Sequence, residues 1–219
     1  MKKGMFSIIA GLLLVAAALC LTGYNLWDDY RAGKAADAAL NELLPMISED
    51  AVPAQGRVVN TIPTAPEDET APAIEEIEYP SYILNPNMEM PIQTIDGHDY
   101  IGVVYIAPLD REFPVISEWS YSNLDIAPCR FSGSAYLDDL VICAHNYSMH
   151  FGQLRELKLG DSVRFTDMDG NRFEYTISEI ETLQPTMVDQ MTTGEWDLTL
   201  FTCTVGGRTR LALRCDRVK

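Results

Sequence analysis

Basic side chains are scarce in this 219-residue chain, which has 16 Lys and Arg against 32 Asp and Glu and a formal net charge of −16 at pH 7. Binding to a nucleic-acid backbone requires a basic face, so the composition argues against nucleic acid as a partner. Adsorption of the folded part to anionic lipid is disfavoured for the same reason. The 47% content of hydrophobic residues is ordinary and is enough for one good-sized domain with appendages.

Long apolar runs are also rare, and the most prominent one covers residues 5–21, directly after Lys2 and Lys3. It is just long enough to span a bilayer if the Gly, Tyr and Trp between residues 23 and 27 lie at the interface. A cleaved secretory signal is the alternative, but no clear cleavage site follows the run. We interpret residues 1–24 as a transmembrane signal anchor, with the lysines inside and the rest of the chain outside the cell.

The remainder of the chain divides into three compositional regions. Residues 25–47 are rich in Ala, Leu, Asp and Glu and predict a juxtamembrane helix that ends near Pro45. Residues 48–87 carry most of the prolines and many acids, which indicates a flexible, acidic, Pro-rich spacer. Residues 88–219 alternate short apolar segments with turn residues and predict a mainly β domain, an antiparallel barrel or sandwich with short helices.

Seven strands and one short helix are predicted within this last region. The strands are expected at residues 100–106, 113–116, 140–144, 162–165, 173–183, 198–204 and 208–218, and the helix at residues 151–157.

Five cysteines are an odd number for an exported protein. Cys20 lies in the predicted anchor, and the four that remain allow three disulfide connectivities. A domain of this size does not need disulfides to fold, so we predict that the cysteines are reduced. At least one thiol should then be free to react.

The last predicted hairpin places one of these thiols beside a cation. Gly206-Gly207 supplies the positive φ angles that a two-residue turn needs, and this turn puts Cys203 opposite Arg210. Directly opposed residues share one face of a sheet, with Cβ atoms about 4.5–5.5 Å apart. A thiol near a permanent cation is a candidate nucleophile. Arg208 is the rival arginine, on the same face but a diagonal step away.

Histidine is rarer still, with three residues in the chain. A reactive thiol needs a proton carrier, and imidazole titrates closest to neutral pH. His98 lies in a polar turn and is expected to be solvated, while His150 opens the predicted short helix, where we expect a surface or capping role. His145 follows the buried strand 140–144, where loops project functional side chains. His145 is therefore the candidate partner of Cys203, and Cys143, on the same face, is interpreted as a packed apolar residue.

These motifs resemble those of the sortase family. Residues 199–203 (TLFTC) are similar to the sortase TLxTC strand, which is followed by an essential arginine on the next strand. Residues 144–146 (AHN), followed by 151–154 (FGQL), resemble the sortase histidine segment. The three motifs occur in the family's order, and the resemblance covers about residues 101–218. It implies a closed, eight-stranded sortase β-barrel and a transpeptidase that acts on LPxTG-like sorting signals.

The resemblance also implies a role for each candidate residue. Cys203 would attack the Thr–Gly carbonyl and form a thioacyl enzyme, and His145 would protonate the leaving amine and then deprotonate the incoming one. Arg210 would bind the substrate backbone or the developing oxyanion. Backbone amides near Cys203, with Thr202 nearby, would complete the oxyanion site. No cofactor and no metal are expected.

The expected partners are sorting-signal peptides and a peptidoglycan precursor or pilin amine, at the cell membrane of a Gram-positive-type surface. Residues 184–197 are expected to form one wall of the substrate groove, and Arg214 is expected to be peripheral. That segment is too short for the long helix of class B sortases, and the chain lacks the C-terminal membrane segment of class C, so the subclass stays open. Two alternatives remain: a hydrolytic cysteine peptidase on the same fold, and a non-catalytic surface-binding barrel.

Overall fold

The chain begins with one continuous helix, α1 (Lys2–Leu43), in a computed structural model that describes residues 2–49, 52, 56–61 and 74–218. This helix contains both the predicted anchor and most of the predicted juxtamembrane helix. Its sequence is rich in alanine and leucine, which favour helix. Pro45 lies just past its end, in the short 3-10 turn Leu44–Met46, because proline is not accommodated in a helix interior.

The two halves of α1 have different surroundings. The first half is long and apolar enough to cross a membrane, and none of its apolar window is buried against the protein. In the second half, four buried residues recur at helical spacing: Ala32, Ala36, Ala39 and Leu43. The three alanines let the helix approach closely, and Ala36, Ala39 and Leu43 belong to the apolar cluster on the outside of the β-sheet.

The strands and remaining helices follow in chain order. The strands are β1 (Arg57–Thr61), β2 (Ile74–Glu78), β3 (Gln93–Ile95), β4 (His98–Ile106), β5 (Arg111–Ile116), β6 (Cys129–Ser132), β7 (Leu140–Ala144), β8 (Ser162–Asp167), β9 (Arg172–Leu183), β10 (Leu198–Cys203) and β11 (Arg210–Arg217). The short helices are α2 (Ser81–Leu84), α3 (Tyr121–Leu124) and α4 (Val188–Thr192), with 3-10 helices at Ala107–Leu109 and Phe151–Glu156.

Eight of these strands close into a barrel. Their order is β4-β5-β6-β7-β10-β11-β9-β8, and β8 pairs back to β4, which leaves β3 as an addition beside β4. The predicted mainly β, closed barrel with short helices is therefore confirmed. Most pairs are antiparallel, but β5–β6 and β7–β10 are parallel. Both parallel pairs are joined by long connections, which parallel strands require.

The barrel has an apolar cluster on each side of its wall, because successive residues of a strand point to opposite faces. The interior cluster includes Val104, Phe113, Ile142, Phe165, Tyr175, Leu200 and Leu213. The outer cluster, which includes α1 residues, contains Val103, Ile116, Cys129, Cys143, Phe201 and Ala212. In the last hairpin, the leucines thus face inward, and Phe201 and Ala212 face outward, as predicted.

Part of the predicted spacer (residues 48–87) has regular structure. β1 and β2 pair as an antiparallel ribbon. Tyr82 of α2 is buried and stacks on Tyr136, with ring centroids 4.8 Å apart. Residues 50–51, 53–55 and 62–73 of the spacer lie outside the described residues. The end of the spacer near α2 is therefore held against the barrel.

Candidate functional site

The site is built at the C-terminal end of β10, where Cys203 is the last strand residue. The register of β10 and β11 pairs Cys203 with Arg210, as predicted. The turn itself differs from the prediction: the Gly207 amide donates to the Thr204 carbonyl at 2.8 Å, so the reverse turn is centred on Val205-Gly206. Thr204 and Thr209 pair across a four-residue loop. The observed four-residue loop and the predicted two-residue loop have the same centre, between Gly206 and Gly207, so both give the same strand register. The placement of Cys203 opposite Arg210 is therefore unaffected.

β7 brings His145 to the other side of Cys203. The parallel register of β7 and β10 pairs Phe201 with Cys143 and Thr202 with Ala144. One residue further along both strands, His145 follows β7 and Cys203 ends β10, so the two residues are neighbours. Neighbouring strands are about 4.8 Å apart. Cys203 therefore lies between His145 on one strand and Arg210 on the other. By alternation, all three belong to the outer face of the barrel.

His145 has two close neighbours that the sequence did not suggest. Its Nε2 atom is 3.3 Å from Oδ1 of Asp125, which directly follows α3. Its ring also packs against the ring of Tyr147, with centroids 4.8 Å apart. The next residue, Asn146, donates through Nδ2 to the Thr204 carbonyl at 3.3 Å, which ties the histidine loop to the turn after Cys203. No local pattern could have revealed Asp125, because it is 20 residues away and reaches His145 only through the fold.

Exposure separates Cys203 from the other barrel thiols. All five cysteines are free, as predicted. In the described residues 74–218, Cys129, Cys143 and Cys215 are buried, and Cys203 is the one thiol that is partly exposed. Burial raises the pKa of Cys143 to about 12 and also raises the pKa values of Cys129 and Cys215, so these three thiols stay protonated and inert. The interpretation of Cys143 as a packed residue is confirmed.

The two candidate arginines occupy different environments. Arg210 is partly buried, and its Nη1 donates to the carbonyls of Gly207 and Thr209, at 3.2 Å in both cases. These bonds hold the guanidinium near the turn. Arg208 is exposed within the turn itself. The structure therefore brings Arg210, rather than Arg208, into register with Cys203.

Thr202 faces away from the thiol. Its hydroxyl is buried and donates to the Ala144 carbonyl at 2.9 Å, which links β10 to β7 on the opposite face of the strand from Cys203. Alternation along β10 makes this unavoidable for adjacent residues. A contribution of Thr202 to an oxyanion site would therefore have to come from its backbone.

Arg214 lies four residues beyond Arg210 along β11, opposite Thr199, and is a buried anchor there. Its side chain is 1% exposed and pairs with Glu181 Oε1, at 2.6 Å from Nη2. Nη1 donates to the Met191 carbonyl at 3.2 Å, and the guanidinium stacks 4.4 Å from the Trp196 ring centroid. These contacts attach residues 184–197, the predicted groove wall, to the barrel. This wall contains one short helix, α4, in agreement with its predicted brevity.

His150 also differs from its prediction. It is fully buried and its side chain makes no helix-capping hydrogen bond, so the expected surface or capping role is wrong. The reason is that α1 covers this loop: its Gly33 lies against Met149, the residue before His150. Burial lowers the pKa of His150 to about 4.

Comparisons with known proteins agree with this fold. The model of the sortase domain matches residues 104–218, which is more than half of the chain. A sortase D5 transpeptidase from Clostridium perfringens is 20% identical with a TM-score of 0.50, and the match covers 58% of this chain and 83% of that chain. The lid mutant of Streptococcus agalactiae sortase C1 is 21% identical with a TM-score of 0.50, covering 57% of this chain and 71% of that chain.

Sortase C1 of GBS pilus island 1 is 22% identical with a TM-score of 0.49, covering 55% of this chain and 64% of that one. At these identities the two likenesses with a TM-score of 0.50 show a shared fold alone. A comparison with curated proteins gave no match. The match to the family model is what decides the assignment. The chain belongs to the sortase family, whose members are cysteine transpeptidases.

Proposed function

We propose that this sortase cleaves an LPxTG-like sorting signal through a thioacyl enzyme on Cys203 and transfers the acyl group to a cell-wall amine. The observation that supports this most directly is the placement of Cys203 between His145 and Arg210 at one end of the barrel. A thiol nucleophile, a proton carrier and a fixed cation are the three groups that this chemistry needs.

In the acylation step, the Cys203 sulfur attacks the carbonyl carbon of the Thr–Gly bond. A C–S bond forms, the C–N bond breaks, and His145 gives a proton to the departing glycine amine. In the tetrahedral intermediate between these two events, the carbonyl oxygen carries negative charge. Arg210, with five N–H donors and a permanent charge, is the group that we assign to the substrate backbone or to this oxyanion.

In the second step, His145 takes a proton from the incoming amine, which then attacks the thioester. A new amide bond forms and the Cys203 thiolate leaves. Asp125 is placed to hold the imidazole during both proton transfers, because its carboxylate is 3.3 Å from Nε2. The partners that fit this chemistry are a sorting-signal peptide and an amine of a peptidoglycan precursor or a pilin.

We propose that the first 24 residues anchor the enzyme in the cell membrane by a single pass, with the barrel outside the cell. Lys2 and Lys3 precede the apolar run, which places the N-terminus inside by the excess of positive charge. In this proposal residues 25–47 dock on the barrel, residues 48–87 form the spacer, and residues 88–219 form the catalytic barrel.

Replacing the nucleophile tests the proposal. Cys203→Ala should lower the cleavage rate of an LPxTG-containing fluorogenic peptide by at least about 1000-fold, because the covalent route is lost. The enzyme should be the full chain in detergent micelles, with circular dichroism to check its fold. Cys20→Ala, which removes an exposed thiol of α1 far from the barrel, is the matched control and should keep full activity.

The products identify the second step. With added triglycine, mass spectrometry should find the acyl fragment joined to triglycine as the main product. Release of the free acid alone, at any triglycine concentration, would instead support the hydrolytic alternative. A Cys203→Ala protein that still cleaves the peptide, or a native chain that cleaves nothing and reacts slowly with iodoacetamide, would contradict the proposal.

A further inference from the structure

Helix α1 holds the loop that follows His145 through two adjacent acids. Asp28 Oδ2 accepts a hydrogen bond of 2.5 Å from the Tyr147 hydroxyl. Asp29 accepts one from the Ser148 hydroxyl at 2.5 Å and one from the Met149 amide at 3.2 Å. These contacts join residues that are about 120 positions apart in the chain. Helix and loop are therefore clamped together immediately beside the proposed catalytic histidine.

The contact between helix and loop is also sterically close. A Cβ atom added at Gly33 would lie 2.5 Å from the Met149 Cβ, which is shorter than side chains tolerate. Glycine is the residue that permits this approach. Arg31, one turn of helix after Asp28, pairs with its Oδ1 at 3.0 Å and leaves Oδ2 to Tyr147. The helix surface is thus shaped and charged to fit this loop.

Tyr147 transmits the contact to His145. The hydrogen bond from Tyr147 is the main cause that lowers the pKa of Asp28, and the hydrogen bond from Arg31 lowers it further. Asp28 is therefore ionised at neutral pH. Burial is the main cause that raises the pKa of Tyr147, and the hydrogen bond to Asp28 raises it further. The Tyr147 hydroxyl is therefore protonated at neutral pH and acts as the donor to Asp28. With its hydroxyl fixed, the ring lies 4.8 Å from the His145 ring at an angle of 38°. The imidazole is thus bounded by Tyr147 on its face and by Asp125 at Nε2.

We infer that Asp28 and Tyr147 are positioning residues for His145, so that the helix that continues the predicted anchor completes the active site. The inference rests on the proposed role of His145 as the proton carrier. Proton transfer requires the imidazole in one orientation, and small displacements of a catalytic group are costly in rate. Binding of the peptide does not require that orientation, so kcat should respond rather than KM.

The test compares variants of the full chain in detergent micelles. Tyr147→Leu removes both the ring and the hydroxyl and should lower kcat by about 10-fold or more, with KM changed by less than about twofold. Tyr147→Phe keeps the ring but loses the bond to Asp28, and its kcat should fall between those of the native chain and Tyr147→Leu. Tyr30→Leu is the matched control, because Tyr30 is an exposed tyrosine of the same helix and should leave both constants unchanged.

A spectroscopic readout separates positioning from a general loss of structure. The chain has three histidines, so their Cε1–H resonances can be assigned by single substitutions. The His145 resonance should shift in Tyr147→Leu and, in the same direction, in Asp28→Leu, whereas the His98 resonance should stay in place. Asp28→Leu has a similar size, has no atom that can accept the Tyr147 hydrogen bond, and keeps the test valid if Tyr147→Leu does not fold.

The inference is overturned if Tyr147→Leu or Asp28→Leu folds and keeps native kcat, or if the His145 resonance does not move. It is equally overturned if the loss of rate appears in KM alone. Failure of the proposed function gives a different pattern, in which Cys203→Ala retains activity. If Cys203→Ala is inactive and the Asp28 and Tyr147 variants are normal, only the present inference fails.

Discussion

At the scale of single residues, the loop after His145 contains a second histidine that is buried without charge. His150 is fully buried, and burial lowers its pKa from the ordinary 6.5 to about 4. Between these two pH values the unfolded chain binds a proton that the folded chain excludes. Acid therefore favours the unfolded state through this residue.

We predict a specific loss of stability in mild acid from this effect. The contribution of His150 to the free energy of unfolding is fully present above pH 6.5 and is lost as the pH falls toward 4. The loss amounts to about 3 kcal/mol at 1.36 kcal/mol per pKa unit. His150→Leu replaces the imidazole by an apolar side chain that does not titrate. Urea denaturation at pH 7 and pH 4.5 should show a smaller acid-induced decrease in the free energy of unfolding for His150→Leu than for the native chain.

The carboxylates also titrate in this range, but they are common to both proteins and cancel in the comparison. His98→Leu, which removes a half-buried histidine at the start of β4, is the matched control and should keep the native acid response. Equal pH dependence of the native chain and His150→Leu would contradict the prediction.

At the scale of secondary-structure elements, Arg214 connects the barrel to residues 184–197. We predict that Arg214→Met lowers the free energy of unfolding by about 3 kcal/mol, because it leaves Glu181 without its buried partner. It should also raise KM for the sorting peptide, since this segment is the proposed wall of the groove. Urea denaturation and peptide kinetics measure the two effects.

The control for this prediction is an arginine with an exposed ion pair. Arg155 lies 4.0 Å from Glu156, and its side chain is 61% exposed. Arg155→Met should cost less than about 1 kcal/mol, as exposed pairs contribute little. A native KM together with native stability in Arg214→Met would show that the segment is held by other contacts.

The elements also show what the sequence can and cannot predict. β7 was predicted at its observed bounds, because five consecutive apolar residues between turn residues have few other interpretations. The register of Cys203 and Arg210 followed from turn residues alone. β6 was missed, since it has four residues, a bulge in its pairing and no alternating pattern. Asp125, Tyr147 and Asp28 could not be assigned to the site because their contacts with it arise only when distant elements pack.

At the scale of the whole molecule, the structure makes α1 both the proposed membrane anchor and a part of the barrel's packing. The proposed span ends at residue 24, and Asp28, which accepts the hydrogen bond from Tyr147, lies about 6 Å further along the helix at 1.5 Å per residue. In the anchored enzyme this would place the loop after His145 next to the membrane surface. The helix is continuous from the proposed span to the residues that pack on the barrel.

This continuity predicts different results for two truncations. A chain that begins at residue 25 keeps the buried stripe of α1 and should be soluble, stable and active. A chain that begins at residue 48 loses that stripe, uncovers apolar residues such as Val103 and Ile116, and should unfold at lower urea or aggregate. Equal stability and activity of the two truncations would contradict the docking role of the helix.

Two adjacent leucines separate the packing effect from the loss of chain. Leu43 is fully buried against the barrel, whereas Leu44 is 40% exposed. In the chain that begins at residue 25, Leu43→Ala should lower the free energy of unfolding by about 3 kcal/mol, as buried leucines do, and Leu44→Ala by less than about 1 kcal/mol. If α1 also positions His145, as inferred above, Leu43→Ala should reduce kcat as the helix detaches, while Leu44→Ala should not. A loss of stability with unchanged kcat would show that the helix supports the fold of the barrel but not its chemistry.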